Sequence, residues 1–313
     1  MLYQSTRNKI DSFTAHRALR IDHADDGGLI LPIYMPAFDA ETVAQMKDAD
    51  ALKNIADVLN LFFGTGLTAW DVESAIGKMP VQIVECGQKI VIAQCWKNPA
   101  SKINYYEQSL FALLCSEQDR MITLWAKVAI RISLMIATMV QLSEKEVDIA
   151  VNAADFLQFI AAYYCREMGM PIRKILIGCN ENSNVWDFVY RGSMQCGAAL
   201  TKTAYQEQDK VVPDLFEAYL FLAYGREEAL RYLNCASAKQ VYQLPEETVI
   251  PIENNLFASV VGQDRIPAVI SSFRTNNNVS INAYTAFSLG ALQDYRAKAG
   301  ESTTTIVFEE SAP

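Results

Sequence analysis

Residues that could hold a metal or transfer protons are few and poorly spaced for either task. The chain has two histidines, His16 and His23, and seven cysteines, at positions 86, 95, 115, 165, 179, 196 and 235. There is no C-x-x-C pair, and both histidines precede residue 25, so the spacing fits neither a zinc site nor a disulfide framework. We therefore expect no metal, and reduced thiols of the kind found in cytoplasmic proteins.

Motifs that mark the common enzyme classes are also missing. The sequence contains no G-x-G-x-x-G dinucleotide loop, no P-loop, no G-x-S-x-G nucleophile elbow and no H-E-x-x-H metal helix. Residue types and spacing alone therefore indicate an α/β protein and leave its chemistry undefined.

Composition and charge exclude further classes of function. With 313 residues, of which 51% are hydrophobic and 20% charged, the chain is globular and long enough for two domains or one large one. A net charge of −9 without a basic tract argues against a nucleic-acid partner. The most apolar stretch, 121–142, is interrupted by Lys127 and Arg131, which favours a buried helix over a membrane span.

The spacing of apolar residues predicts the elements that would position a site. Helices are predicted at 40–62, 105–117, 121–143, 155–168, 213–235 and 283–298, and a short helix capped by Thr68 should start near Ala69. Strands are predicted at 81–85, 89–95, 147–151, 173–178 and 303–308. The first two strands should form a hairpin, and the next two should flank a helix as a parallel βαβ unit. The NNN at 276–278 is predicted to be a loop.

Several local strings, taken in order, resemble threonine synthases. YQSTRN at 3–8 and DGGLILP at 26–32 resemble that family's openings, Y-x-S-T-R-G and D-G-G-L-x-x-P. MGMPIRKILIGCNENSNVWDFVYRG at 168–192 resembles its M-G-L-P-I-x-K-L-x-x-x-x-N-E-N-x-x-L-x-D-F-x-x-x-G block. Strings at 213–225, 281–292 and 304–308 follow in the family's order. The chain thus resembles a threonine synthase-like protein of the tryptophan-synthase-β-like superfamily, the fold type II pyridoxal-phosphate enzymes.

The resemblance implies a lysine that forms a Schiff base with pyridoxal phosphate, in the family string G-P-T-x-A-F-K-D. The matching string is NPASKINY at 98–105, which places Asn104 at the lysine position. An amide cannot form the imine, because only a primary amine condenses with the aldehyde. The nearest amine is Lys102, which would point away from position 104 in a helix and share its face in a strand. The alternative interpretation of Lys102 is a solvated surface lysine.

Further family positions are altered. The string N-W-x-R, linked to substrate-phosphate binding, appears as Leu124 to Lys127, so a lysine replaces the forked guanidinium. The G-N-F-G-D loop aligns with AADFL, where the Asp155 carboxylate would repel a phosphate but could cap a helix. Glu310 stands at the threonine of the closing T-A-H-P string.

Relative to the family, the sequence lacks one subdomain and retains the N-E-N block. The S-G-D-T-G loop is absent, and the interval 105–124 is too short for a small α/β subdomain, since one βαβ unit takes ~30 residues. Asn180, Glu181 and Asn182 remain, either as site residues or as turn and cap residues. The vestigial cofactor or substrate site would comprise Asn104, Lys127, Asp155, Asn180, Glu181, Asn182 and Glu310, with no catalytic residue.

Residues 98–125 would lie where the missing lobe once attached. Leu110, Phe111 and Leu114 are spaced for one helix face and are expected to pack on the core. The alternative is an exposed patch in which Tyr105 and Tyr106 cover the old cleft or contact a partner chain.

The predicted fold is α/β, with a largely helical N-terminal domain at 1–78, in which YQSTRN packs in extended form, and, at 79–313, a mainly parallel sheet flanked by helices. This second domain is a remnant of the large pyridoxal-phosphate-enzyme domain, with the small subdomain deleted near 105–124.

The predicted function is that of a cytoplasmic, catalytically inactive threonine synthase homologue with a binding or regulatory role. We expect no cofactor, no nucleic acid and no membrane, and a partner that is a second copy or a paralogous enzyme. The alternative is a divergent threonine synthase, or another pyridoxal-phosphate-dependent lyase, which converts O-phosphohomoserine to threonine. A new activity built from Asp155, Lys127 and Glu181 also stays open.

Overall fold

The chain divides into two compact units that alternate along the sequence. The structure is a computed structural model that describes residues 1–9, 11–78, 81–96, 102–115, 121–142, 144–300 and 302–313. The first unit comprises Met1–Gln82, Cys95–Lys145 and Ile160–Pro171, and the second comprises Ile83–Gln94, Glu146–Phe159 and Ile172–Pro313. The predicted domain boundary at residue 78 and the deletion near 105–124 stay predictions. Residues 98–101 and 116–120, on which parts of those predictions fall, lie outside the described residues.

The first unit combines a small antiparallel sheet with helices. Its strand order is β2-β1-β3, with β1 at Leu2–Ser5, β2 at Ser12–Thr14 and β3 at Ile30–Pro32. The expected extended conformation of YQSTRN is confirmed over the residues of β1, whereas the sheet itself was not predicted. The helices are α1 Ala15–Ala18, α2 Ala40–Asp48, α3 Ala51–Phe63, α4 Ala69–Ile76, α5 Ile103–Leu114 and α6 Leu124–Gln141.

Helix α6 is the apolar helix predicted at 121–143, and it belongs to the core of the first unit. It is long and apolar enough to cross a membrane, but 83% of it is buried within the protein. Trp125 in its first turn donates from Nε1 to the Tyr3 hydroxyl (3.2 Å), which in turn donates to the Phe62 carbonyl (2.8 Å). The prediction of a buried helix is confirmed.

Caps decide where the helices of the first unit begin and end. The single helix predicted at 40–62 is wrong, because the chain breaks at Asp50, whose carboxylate accepts from the Leu52 amide (2.7 Å) and starts α3. Gly64 ends α3 in the left-handed conformation at φ 68°, as the predicted break at FGTG requires. Thr68 caps α4 through a reciprocal capping box with Asp71, which confirms that prediction.

Helix α5 buries most of the aromatic segment that could have formed an interface. Leu110, Phe111 and Leu114 are buried, as the spacing predicted. Tyr106 is also buried, at 2% exposure, so the alternative of Tyr106 at a partner surface is wrong. Tyr105 is half-buried and packs edge-on against the Tyr106 ring, with centroids 5.4 Å apart.

The second unit is built on a sheet with the order β10-β7-β6-β11-β5-β4. Its strands are β4 Gln82–Cys86, β5 Ile90–Gln94, β6 Val147–Asn152, β7 Ile172–Cys179, β10 Leu256–Val260 and β11 Thr305–Glu309, and a separate pair consists of β8 Ser193–Gln195 and β9 Val241–Gln243. Every pairing from β10 across to β5 is parallel. The predicted parallel neighbours β6 and β7, and the mainly parallel sheet, are confirmed.

Helices flank this sheet, and one of them packs very closely. The helices of the second unit are α8 Val185–Arg191, α9 Phe216–Tyr224, α10 Arg226–Ser237, α11 Val249–Asn255, α12 Ile266–Asn277 and α13 Ala283–Ala299. Helix α7 Phe156–Glu167 starts in the second unit and belongs to the first from Ile160 onward. A Cβ atom at Gly178 of β7 would lie 2.1 Å from the Phe287 carbonyl oxygen of α13, so only glycine allows this approach.

Two sequence predictions in the second unit are wrong. The helix predicted at 213–235 is two helices, α9 and α10, because Gly225 separates them at φ 86°. The NNN at 276–278 is not a loop, since Asn276 and Asn277 complete the last turn of α12. Asn278 then ends the helix at φ 54°, a left-handed conformation that asparagine tolerates better than most residues.

Candidate functional site

The carboxyl ends of the parallel strands place a row of polar residues at one edge of the second unit's sheet. Gln94 ends β5, Asn152 ends β6, Asn180 follows β7 and Glu309 ends β11. In open sheets of this kind, ligands bind in the crevice outside the carboxyl ends of the strands. This edge is therefore the candidate site, and the predicted residues Asp155, Asn180, Asn182 and Glu310 all follow strands that end there.

A buried carboxylate stands at the end of β11. Glu309 is fully buried, and its Oε1 accepts from the Asn282 amide (3.2 Å) and the Thr285 hydroxyl (3.4 Å) at the start of α13. Its Oε2 accepts from Gln94 Nε2 (3.3 Å). The carboxylate therefore occupies the N-terminus of a 17-residue helix, where a negative charge is stabilised.

The resemblance pointed to Glu310, the next residue in the chain, and did not identify Glu309. Glu310 follows β11 and is half-buried, and its assignment to the cofactor site stays a prediction. The signal that could have pointed to Glu309 is an acidic residue at the end of the apolar strand TIVFE. A charge in that position is stable only when distant segments supply hydrogen-bond donors.

The turn between β6 and α7 uses its backbone donors internally. Asn152 Oδ1 accepts from the amides of Ala154 (3.1 Å) and Asp155 (3.2 Å). Asp155 directly precedes α7, which is the N-cap position that the sequence suggested, and its carbonyl accepts from the Gln158 amide (3.2 Å). By the resemblance, this turn corresponds to the family's second phosphate loop. Its Ala154 and Asp155 amides are already bonded to Asn152, and the Asp155 side chain adds a carboxylate beside them.

The N-E-N block holds a loop rather than projecting free side chains. Asn180 Nδ2 (2.8 Å) and Asn182 Nδ2 (2.9 Å) donate to Asp209 Oδ1. Asn182 also exchanges two hydrogen bonds with the Thr201 backbone, each 2.6 Å long. Glu181 is exposed, and its carboxylate accepts from the Gln263 amide (3.1 Å). All three residues therefore have structural partners.

Asp209 is the centre of this network. Besides the two asparagine amides, it accepts from the Thr203 amide (2.8 Å) and the Thr203 hydroxyl (2.7 Å). Partial desolvation raises the pKa of the Asp209 carboxyl, but the hydrogen bonds from Thr203, Asn180 and Asn182 together outweigh it and lower that pKa. Asp209 was not predicted, because nothing in the local sequence marks it as the partner of residues 27 and 29 positions earlier.

The remaining predicted residues belong to the first unit. Asn104 lies exposed in the first turn of α5, and Lys102 is its exposed, extended N-cap residue. Lys127 is half-buried in the first turn of α6, where its backbone amide bonds to the Thr123 carbonyl (3.1 Å).

The described residues do not fit pyridoxal phosphate in the way that the resemblance implies. Position 104, which the resemblance aligns with the Schiff-base lysine, is an amide, whereas a covalent anchor requires a primary amine. At the start of α7, the amides of Ala154 and Asp155 are already bonded to Asn152, and a carboxylate borders the place of the phosphate.

Comparison with known proteins gives partial sequence matches and a full-length match of the fold. A family model described as "Threonine synthase N terminus" matches residues 2–79. Two curated proteins named Threonine synthase-like 1, from Pongo abelii and Homo sapiens, are each 23% identical over 143 residues, which is 45% of this chain and 19% of theirs. The chain therefore spans about a fifth of the length of these curated relatives.

Among solved structures, the match of the fold covers the whole chain. Threonine synthase from Brucella melitensis, solved with bound PLP, has a TM-score of 0.87 and 16% identity, and the match covers 100% of this chain and 89% of that one. Yeast threonine synthase has a TM-score of 0.86 and 15% identity, with 100% and 87% covered. The chain is therefore similar to threonine synthases in sequence over its N-terminal part, and it shares the α/β fold of solved threonine synthases over its whole length.

Proposed function

We propose that the protein is a catalytically inactive threonine synthase homologue that uses the retained scaffold for binding or regulation. One observation carries the proposal: Asn104, an amide, stands at the position that aligns with the Schiff-base lysine. Reversible condensation with an aldehyde needs a primary amine, and no rearrangement of an amide side chain supplies one. The nearest amine, Lys102, is exposed and extended before α5.

The polar contacts at the carboxyl edge support the same proposal. Glu309 occupies the α13 N-terminus, and Asn152 occupies two amides at the α7 N-terminus. These are the positions where helix dipoles and free amides would otherwise hold an anion. An anionic cofactor or a phosphorylated substrate would have to displace side chains that are already bonded.

A direct assay of threonine synthesis tests the proposal. Purified protein is incubated with pyridoxal phosphate and O-phosphohomoserine, and the release of threonine and phosphate is measured. We expect no turnover above the protein-free rate. Turnover that survives purification to homogeneity would overturn the proposal and establish the divergent-enzyme alternative.

Chemical trapping tests the covalent step separately. The protein is incubated with pyridoxal phosphate, reduced with borohydride and digested for mass spectrometry. We expect no stoichiometric adduct at any lysine. A stoichiometric adduct that is lost in Lys102→Ala, and kept in the matched surface variant Lys145→Ala, would refute the proposal and locate the amine.

We further propose a cytoplasmic protein whose partner is a second copy of the chain or an active paralogue. Free thiols at all seven cysteines support a reducing compartment. Light scattering across a concentration series tests self-association, and co-purification with a tagged active threonine synthase tests the paralogue. A monomer that retains no paralogue would contradict this part of the proposal.

A further inference from the structure

A cavity lies at the amino end of β5, on the opposite edge of the sheet from the candidate site. It is bordered by the Gly87–Lys89 connection between β4 and β5, by the last turn of α12 and by the second half of α13, all within the second unit. Its volume is about 340 Å³, and small-molecule sites have volumes of roughly 300–1,000 Å³. None of the predicted site residues is among the described residues that line it.

Arg296 is the only charged side chain among the described residues that line this cavity. Its Nη1 donates to the Gln88 carbonyl (2.7 Å). Its Nη2 donates to the carbonyls of Lys89 (3.3 Å) and Thr303 (3.1 Å) and to the Thr305 hydroxyl (3.3 Å). All four acceptors are neutral. The Nε group has no partner among the described residues and is not one of their buried unpaired atoms, so a donor is left for a ligand.

The charge of Arg296 is not balanced by the carboxylate that acts on it. Partial burial lowers the pKa of the Arg296 guanidinium, and the charge of Asp148 offsets only part of that effect. Asp148 is itself buried and bonded to another arginine, because its two oxygens accept from Arg173 Nε (3.0 Å) and Nη2 (2.7 Å). Two guanidinium groups thus share one carboxylate, and an added anion would be stabilised at Arg296.

The wall that faces Arg296 is held in place before any ligand arrives. Gln88 (φ 60°) and Lys89 (φ 55°) both adopt the left-handed conformation, which is strained for residues other than glycine. Arg296 holds their carbonyls, and Asn277 Oδ1 accepts from the Gly87 amide (2.9 Å). The guanidinium is therefore positioned by its structural bonds, and a ligand need not order it.

The rest of the lining selects the kind of anion. The exposed carboxamides of Gln88, Asn276 and Gln293 add neutral polar groups. Buried apolar side chains complete the lining, namely Ile90, Phe273, Leu289 and Leu292. A single negative charge would balance Arg296, whereas a dianion such as phosphate would keep an excess charge beside carbonyl oxygens and apolar surface. A cation would be repelled by the guanidinium.

The geometry points to a binding site for a small monocarboxylate with an apolar body. The carboxylate accepts from the Arg296 guanidinium, and the apolar group packs against the buried side chains of α12 and α13. This site goes beyond the proposed function, since it lies at the other edge of the sheet and shares no residue with the vestigial cofactor site.

A ligand-observed NMR titration of the full chain with sodium 3-methylbutanoate tests the inference. Each of four comparison ligands changes one property. The amide 3-methylbutanamide removes the charge, 3-methylbutylammonium reverses it, acetate removes most of the apolar body and inorganic phosphate adds a second charge. We expect saturable binding of 3-methylbutanoate, and binding weaker by about tenfold or more for every comparison ligand at equal ionic strength.

Variants at the cavity locate the site. Arg296→Met removes the guanidinium and should weaken binding about tenfold or more. Gln293→Glu leaves Arg296 and its structural bonds in place, but it adds a carboxylate one helical turn away at the cavity rim, which should also weaken binding about tenfold. The matched control is Arg274→Met, which alters the net charge equally at an exposed position of α12 outside the cavity and should leave binding unchanged.

The outcomes separate this inference from the proposed function. Equal affinities for 3-methylbutanoate and its amide, or tighter binding of the ammonium compound or of phosphate, would overturn the monocarboxylate assignment. Equal affinities of the wild-type protein and Gln293→Glu, or no saturable binding, would overturn the site. None of these results depends on turnover. Threonine release in the activity assay would instead overturn the inactive-homologue proposal and would not alter the titration.

Discussion

Replacing Asp209 with alanine should loosen the middle of loop 201–211, while Asn182 and Asn184 keep the two ends of the loop bonded. The substitution removes the acceptor of Asn180 Nδ2, a group on a fully buried residue, and an unpaired buried donor costs about 1–3 kcal/mol. It also removes both hydrogen bonds from Thr203, whose donors can partly turn to water, which adds about 1 kcal/mol. Asn182 keeps its bonds to the Thr201 backbone. We therefore expect the free energy of unfolding to fall by about 2–4 kcal/mol.

Urea unfolding measures the global effect, and hydrogen exchange measures the local one. The Thr203 amide donates to Asp209 Oδ2, so its exchange should accelerate about 30-fold for a loss of about 2 kcal/mol. The matched control is Asp214→Ala, which removes an exposed carboxylate paired with Lys210 and should cost about 0.5 kcal/mol or less. If the Asp209 and Asp214 variants had equal stability, the network would not hold the loop.

The same prediction has a defined dependence on pH. The hydrogen bonds from Thr203, Asn180 and Asn182 outweigh desolvation and lower the pKa of the Asp209 carboxyl in the folded protein. A lowered folded pKa means that this group stabilises the fold above its unfolded value of about 3.9, and that the contribution disappears as pH falls through the folded pKa. The stability difference between wild type and Asp209→Ala should therefore be full at neutral pH and shrink below about pH 4. A difference that stayed constant into strong acid would refute the role of the charge.

Four further substitutions test a close backbone approach, a buried ion pair and a helix cap. Gly178→Ala places a Cβ 2.1 Å from the Phe287 carbonyl oxygen and should cost about 3 kcal/mol or more in urea unfolding, and an unchanged midpoint would contradict the close approach. Glu107→Leu should cost about 3–5 kcal/mol, because it removes a carboxylate 2.7 Å from the buried Arg131 guanidinium. Adding Arg131→Met should recover most of that loss in a double-mutant cycle. Thr68→Ala breaks the capping box of α4 and should cost about 1 kcal/mol, with faster amide exchange in its first turn as the local readout.

The sheet could be predicted where strands are continuous apolar runs bounded by turns. The runs that became β6 and β7 are short and apolar, and a helical pattern lies between them, so a parallel pair followed from the sequence. Strand β10, which pairs with β7 about 80 residues earlier, was not predicted, because LFASV contains an alanine and a serine and has only one β-branched residue. Its strand conformation is set by that distant partner rather than by local preference.

The candidate site was predictable only in part, for a similar reason. The resemblance located Asp155, Asn180 and Asn182, which follow strands ending at one edge of the sheet. It did not locate Glu309 or Asp209, whose donors come from segments up to 215 residues away. Local sequence shows that a residue is acidic, but it does not show which distant donors make its burial stable.

The hydrogen bonds of the N-E-N block give it a structural role that does not depend on catalysis. Each asparagine amide of the block is bonded to Asp209, and Asn182 is bonded to the Thr201 backbone as well. Losing Asn180 would remove one hydrogen bond to Asp209, and losing Asn182 would remove one to Asp209 and two to the Thr201 backbone, whether or not any reaction takes place at this edge. Asn104, in contrast, is exposed on a helix surface, where a substitution costs little stability. The proposed loss of catalysis is consistent with this difference, because a fold that is no longer selected for chemistry would keep the first kind of residue and change the second.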